Sequence, residues 1–170
     1  MFRVAGTVLC LLMLVGGLAT AATASPRNVV DARTRGFASI ASICVQRADE
    51  IWHTAPATIQ AEPARYFLHV EDAVARCTVD YRALVRLDRS GVWSSFEGSA
   101  QLGIAGVQSW ARGANELLLA LKSTSQTTGK QHLGTAETET THAVRLWRRC
   151  VTGLNAARRR VGLRPFTTAP

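Results

Sequence analysis

The sequence predicts an all-α protein: an antiparallel, up-down-up-down four-helix bundle that follows a cleaved signal peptide. Apolar residues recur at steps of three and four along four segments, which is helical periodicity. Pro56, Gly91 and the polar stretch 123–134 separate those segments. A short apolar leader precedes them. The predicted helices cover residues 28–53, 63–89, 95–122 and 136–161 of a single domain, 25–170, and such helices joined by short connections favour a bundle.

The first 24 residues have the pattern of a secretory signal peptide. Arg3 supplies a positive charge, Val4–Leu18 is an uncharged apolar run, and Ala22–Ala24 is a small-x-small cleavage site. An uncleaved anchor is the alternative, because Val4–Ala24 approaches the roughly 20 residues that cross a bilayer. Glycine and alanine in the second half of the run favour cleavage. We therefore expect an extracytoplasmic protein (secreted, periplasmic or associated with the cell envelope) that is not transmembrane after cleavage.

Each predicted helix carries an apolar stripe that should face a common core. In chain order the stripes are Val30, Phe37, Cys44 and Ile51; Phe67, Val70, Val74, Cys77, Tyr81 and Leu84; Phe96, Ala100, Gly103, Val107, Trp110, Ala114, Leu117 and Leu121; and Ala143, Trp147, Cys150, Leu154, Ala157 and Val161. Glycines flank Trp110 on its stripe. They predict either a close approach of a neighbouring helix or a groove for a flat ligand, and the close approach is favoured because pockets in bundles are few.

Three cysteines remain after the leader, which contains Cys10. An exported protein keeps disulfides, and an odd number predicts one bridge and one buried thiol, with an intermolecular bridge as the alternative. A weak self-similarity at a shift of 73 residues aligns Cys77 with Cys150. It would place the second and fourth predicted helices diagonally, too far apart for a bridge. Cys44 is therefore one predicted partner, and Cys77 is only slightly favoured over Cys150 as the other.

Positive charge is concentrated at the carboxyl end. Twelve basic and twelve acidic residues cancel between residues 25 and 144, whereas residues 145–170 hold seven arginines and no acid. Helical counting places five of these arginines opposite the apolar stripe of the fourth helix: Arg145, Arg148, Arg149, Arg159 and Arg160. This pattern predicts a patch that binds anionic lipid headgroups, an acidic envelope polymer or an acidic protein. Nucleic acid is disfavoured because no aromatic residues are interleaved with the arginines for base stacking.

The second functional hypothesis is a carrier of a small ligand. Its pocket would lie between helices and be lined by Tyr66, His69, Trp110 and Trp147, with an apolar molecule or non-covalent haem as the ligand. Covalent haem is excluded because the chain has no Cys-x-x-Cys-His motif. A carrier and an anion-binding patch differ in a measurable way, because binding by exposed charges weakens with salt and binding by apolar contacts does not.

A small helical enzyme is the third hypothesis, and the sequence predicts no catalytic residue, cofactor or metal. Glu50 with His53, and Glu139 with His142, repeat the Glu-x-x-His pattern of di-metal bundles. A site in a bundle needs ligands that point inward, but helical counting turns Glu50, His53 and Glu116 away from the apolar stripes. No phosphate loop or nucleophile motif is present. The sequence therefore favours binding over catalysis.

Overall fold

The computed structural model describes residues 24–54 and 56–166, which form five α-helices and one 3₁₀ turn. The helices are α1 (Pro26–His53), α2 (Pro56–Ala61), α3 (Pro63–Arg89), α4 (Glu97–Lys122) and α5 (Gln126–Arg160), and the 3₁₀ turn is Ser94–Phe96. Within the described ranges there is no strand, so the prediction of an all-α chain with four long helices is confirmed. The predicted signal peptide lies outside these ranges except for Ala24.

The start of the last helix and the presence of a short second helix differ from the sequence-based expectation. The last helix begins at Gln126, well before residue 136, because the Ser125 hydroxyl accepts a hydrogen bond from the Thr128 N–H and caps it. Its first turns are almost entirely exposed and carry no apolar stripe, so periodicity gave no signal there. The short helix α2 was also not predicted, because it has no buried residue among those described.

Successive long helices run antiparallel. On α1 and α3, Cys44 lies against Cys77, while Tyr66 near the start of α3 bonds to Ile51 near the end of α1. Contact is most extensive between α4 and α5 and slight between α1 and α5. The four long helices therefore pack in sequence, and the side between the first and the last of them stays partly open.

Most residues of the predicted stripes form the core, but Phe67 and Val161 are only partly buried outside it and Leu121 is exposed. Phe37 is fully buried at its centre, where its ring meets those of Trp93, Phe96 and Trp147 at centroid distances of 5.3–6.5 Å. Leu121 was expected in the core, but it is 42% exposed. It lies in the last turn of α4, beside the polar first turns of α5, which offer it little apolar surface.

Glycines bring α4 and α5 close together. A Cβ atom added at Gly103 would lie 2.6 Å from the Phe37 ring and 2.7 Å from Cys150 Sγ, and one added at Gly113 would lie 2.8 Å from Thr140 Oγ1. A Cβ at Gly153 of α5 would collide with Ser99 of α4. The predicted close approach is therefore present along this pair of helices.

A buried disulfide joins α1 to α3. Cys44 and Cys77 are bonded, with their Cα atoms 4.4 Å apart, which confirms the favoured pairing. Beside the bridge, the buried Asp80 carboxylate accepts a hydrogen bond from the Cys44 N–H at 3.0 Å, and burial raises the pKa of Asp80. Cys150 is a free, buried thiol, and burial raises its pKa to about 12, so it stays protonated.

Candidate functional site

The five predicted arginines lie on one exposed face of α5. Arg145, Arg148, Arg149, Arg159 and Arg160 are all exposed, and we call them the arginine face. From the first to the last they extend about 22 Å at 1.5 Å per residue. Helix α5 buries its other side against α4, so the face is held on a rigid element.

None of the arginine-face guanidinium groups has an acidic partner within 4 Å among the described residues. Several cations elsewhere do. Arg47, for example, lies 2.7 Å from Glu50 and 3.0 Å from Asp72. The positive charge on α5 is therefore not neutralised locally, and its field extends into solvent.

The first half of the arginine face borders two shallow hollows that also present hydroxyl groups. Arg148 and Arg149 line both hollows, and Arg145 lines one. The neighbouring hydroxyls belong to Thr140, Thr141, Thr152 and Ser99. Guanidinium and hydroxyl donors side by side are the groups that hydrogen-bond phosphate and carboxylate oxygens.

Arg158 has a different role from its neighbours. It is only 4% exposed, and its guanidinium donates to Asp31 at 2.6 Å and to the Thr34 hydroxyl at 2.9 Å, both on α1. Its Nε donates to the Arg164 carbonyl, and the Phe166 ring covers it at 4.3 Å. The hydrogen bonds from Arg35 and Arg158 lower the pKa of Asp31. Arg158 thus ties the end of α5 to the start of α1.

The predicted ligand pocket is divided between two places. Tyr66 and His69 line a hollow of about 180 Å³ near α2, where the Tyr66 hydroxyl donates to the Ile51 carbonyl at 3.0 Å. Burial raises the pKa of Tyr66, and His69 is exposed. Trp110 and Trp147 lie together elsewhere, with ring centroids 5.8 Å apart. The four residues therefore do not line one pocket.

The two tryptophans border a long cleft between α1 and α5. One part of the cleft, of about 470 Å³, is lined by Ala38, Ser42, Val45, Gln46, Asp49, Trp147, Val151, Leu154 and Phe166. The other, of about 360 Å³, is lined by Val45, Ala48, Asp49, Trp52, His53, Trp110, Thr140, Val144, Trp147 and Arg148. The two parts share the lining residues Val45, Asp49 and Trp147, so they lie next to each other. We call them together the α1–α5 cleft.

Two buried polar atoms at this cleft have no hydrogen-bond partner among the described residues. They are the indole Nε1 of Trp147 and the hydroxyl oxygen of Thr140. Trp147 is 5% exposed. An unpaired buried donor costs about 1–3 kcal/mol, and proteins leave few of them. A ligand with an acceptor atom could satisfy this donor after a small adjustment of the cleft wall.

Most residues of the cleft were not predicted from the sequence. Val45, Trp52 and Val144 line it but lie beside the predicted stripes rather than on them. The available signal was Trp52, a large apolar residue next to a stripe position, which widens the apolar face of α1 toward another helix. Arg158 could also have been identified, because it follows Leu154 by four residues and so continues the buried stripe.

The Glu-x-x-His pairs do not assemble a metal site. Glu50 bonds to Arg47 and Gln46, and His53 lies 3.1 Å from Asp49 of its own helix. Across residues 24–54 and 56–166, no three His, Cys, Asp or Glu side chains are grouped so that they could hold a metal ion.

None of the described helices is both long and apolar enough to cross a membrane. The chain matches no protein-family model, no curated protein and no solved structure at a significant level.

Proposed function

We propose that this chain is an exported, non-catalytic four-helix bundle, with up-down-up-down topology, that binds an anionic envelope surface or partner through the arginine face. The observation that carries the proposal is the absence of any carboxylate within 4 Å of these five arginines among the described residues. Unpaired arginines on one face of a rigid helix combine a strong positive field with free hydrogen-bond donors.

The chemistry of the partner follows from the donors. Arginine binds phosphate and carboxylate through paired N–H groups, and the nearby threonine and serine hydroxyls add further donors. In an extracytoplasmic compartment such oxygens belong to lipid headgroups, acidic envelope polymers or acidic proteins. The buried disulfide and the lack of a membrane-spanning helix among the described residues are compatible with that compartment.

Vesicle binding tests the proposal. The purified protein is mixed with vesicles of phosphatidylglycerol and phosphatidylcholine, or of phosphatidylcholine alone, and sedimented at 50 and 300 mM salt. We expect binding only to the anionic vesicles and a steep loss at the higher salt concentration, because screening shortens the reach of exposed charges. A soluble anionic polymer as competitor should release the protein.

A matched pair of variants assigns the binding to the arginine face. Replacing Arg145, Arg149 and Arg159 with Gln should weaken vesicle binding about 100-fold, at about 1 kcal/mol for each charge near the surface. The control replaces Arg82, Arg86 and Arg89 of α3, which are also exposed and carry the same charge. Arg148 is left unchanged because it also lines the cleft. Equal losses in both variants would mean that net charge, not the arginine face, governs binding.

A further inference from the structure

We propose that the α1–α5 cleft binds a single-chain amphiphile with an anionic headgroup, such as a fatty acid. The inference concerns a different site from the arginine face and a different class of ligand, a single molecule rather than a surface. It requires that the cleft have one apolar end and one polar end, a donor for the headgroup and room for a chain.

The cleft changes character along its length. In the first part, α5 and Phe166 contribute apolar walls through Val151 and Leu154, while α1 contributes Ala38 and Val45 together with Ser42, Gln46 and Asp49 at the rim. In the second part, the exposed side chains of His53 and Arg148 can donate hydrogen bonds. The indoles of Trp52, Trp110 and Trp147 lie along the second part. An apolar tail at the Phe166 end and a polar head at the Arg148 end match this gradient.

The polar end favours a negative head. Arg148 has no acidic partner among the described residues, and Arg145 and Arg149 add positive charge beside it. Asp49 is the acid at the cleft, but its side chain is 70% exposed and lies 3.1 Å from His53 Nδ1. Water and the neighbouring His53 therefore reduce its repulsion of a negative head. The Trp147 N–H has no partner among the described residues and is a further donor beside the cleft, whereas the Thr140 hydroxyl faces Gly113 of α4.

The two parts of the cleft give it a length suited to a chain. On α5 the lining runs from Thr140 to Leu154, about 21 Å at 1.5 Å per residue, of which about 9 Å lies between Arg148 and Leu154. The two parts adjoin at the shared residues Val45, Asp49 and Trp147. A flat ring such as haem would use only the indole-lined part and leave the apolar end empty, whereas an alkyl chain occupies both.

Tryptophan fluorescence of the purified protein titrated with dodecanoate tests the proposal, with dodecanol as the uncharged analogue. We expect saturable quenching by dodecanoate at a stoichiometry of one and at least tenfold weaker binding of dodecanol. Replacing Arg148 with Gln should weaken dodecanoate binding five- to tenfold, whereas Arg149→Gln, outside the cleft, should change it less than twofold. Asp49→Asn should tighten binding, because it removes a like charge from the rim.

A blocking variant locates the ligand. Ser42 is exposed and lines the apolar part, so Ser42→Trp should fill it and abolish binding, while Ser39→Trp, on the same helix outside the cleft, should bind normally. Absence of saturable binding, equal affinity for dodecanol, or unchanged binding by Ser42→Trp would each overturn the proposal. So would a dimer that Ser42→Trp dissociates in the absence of ligand, because the cleft would then be an interface between two copies. The two proposals are tested separately. Whether the variant without Arg145, Arg149 and Arg159 loses vesicle binding does not decide whether the cleft binds dodecanoate.

Discussion

Helix α5 packs against two neighbours in opposite ways. Toward α4, glycines at 103, 113 and 153 let the backbones approach until an added Cβ would collide with the partner helix. Toward α1, contact is slight, and a cleft with a larger part of about 470 Å³ lies between the helices. The α4–α5 seam is thus closely packed, whereas α1 and α5 meet at the ring contact between Phe37 and Trp147 and where Arg158 reaches Asp31 and Thr34.

This contrast distinguishes a closely packed seam from a seam that leaves room for the proposed ligand. Protein interiors are close-packed, and the α4–α5 seam follows that rule. The α1–α5 seam does not, and beside it the Trp147 indole N–H has no partner among the described residues. Helix α1 is held in place by its buried residues, with Phe37 at the centre of the core, and also by its disulfide to α3 and by Arg158. Weakening each tie in turn therefore tests the comparison.

The largest expected effect comes from the tie between α1 and α3. Replacing Cys44 and Cys77 together with Ala should lower the free energy of unfolding by about 3–4 kcal/mol, because the bridge closes a loop of 33 residues in the unfolded chain. Urea unfolding measures the change. Cys150→Ala, a buried cysteine outside the bridge, should cost far less, and equal losses would show that the bridge adds nothing beyond packing.

The next effect comes from the closed end of the α1–α5 seam. Arg158→Met keeps the stem of the side chain but removes the bonds to Asp31, Thr34 and the Arg164 carbonyl, and should cost about 2–3 kcal/mol. Arg159→Gln, one residue along and exposed, should change stability by less than about 0.5 kcal/mol. If both variants unfold at the same urea concentration, Arg158 is not a structural tie.

The packed seam can be tested at one atom. Gly103→Ala should destabilise the protein by about 1–2 kcal/mol, because the new methyl group overlaps Phe37 and Cys150 by more than alanine gains in helix propensity. Gly98→Ala, also on α4, meets nothing within 4 Å and should stabilise it by about 0.5–1 kcal/mol. Thermal unfolding measures whether each substitution raises or lowers the stability. Stabilisation by both substitutions would mean that α4 and α5 are not in close contact.

The smallest expected effect is a pH dependence of the free energy of unfolding, which comes from Asp80 at the contact between α1 and α3. Burial raises the folded-state pKa of Asp80, so its neutral form is favoured by folding below the unfolded pKa of about 3.9, and this contribution is lost as the pH rises through the folded-state value. Asp80→Asn still accepts from the Cys44 N–H. It should therefore gain stability relative to the unmodified protein between pH 3 and pH 7, as urea midpoints would show. A constant difference would contradict the burial argument.

The sequence predicted the parts of the fold that depend on local periodicity. Phe37 and Val107 were placed in the core because their spacing follows the helical repeat, and both are fully buried. The pairing of Cys44 with Cys77 was only slightly favoured over that of Cys44 with Cys150, because it rested on a weak self-similarity, and the structure confirms it. The exposed start of α5 was missed because a polar helix without a buried face has no periodic signal. The apolar pattern of one helix does not indicate how far that helix lies from its neighbour.

The candidate functional residues also fall into those that the sequence predicted and those that it did not. The arginine face was predicted because it belongs to a single helix, and its five residues are exposed on α5. The cleft was not, because its width depends on how far α1 stands from α5. Of the four residues predicted to line one pocket, Trp110 and Trp147 lie together, whereas Tyr66 and His69 line a separate hollow.

The indole N–H signals in a ¹H–¹⁵N spectrum test most directly whether the open seam is a binding cleft. The four tryptophans give four such signals, and Trp93 serves as an internal control because its N–H donates to the Leu84 carbonyl within the core. Adding dodecanoate should shift the Trp147 signal most, move those of Trp110 and Trp52, and leave Trp93 unchanged. An unchanged Trp147 signal at saturating dodecanoate, or an equal shift of all four, would contradict the account.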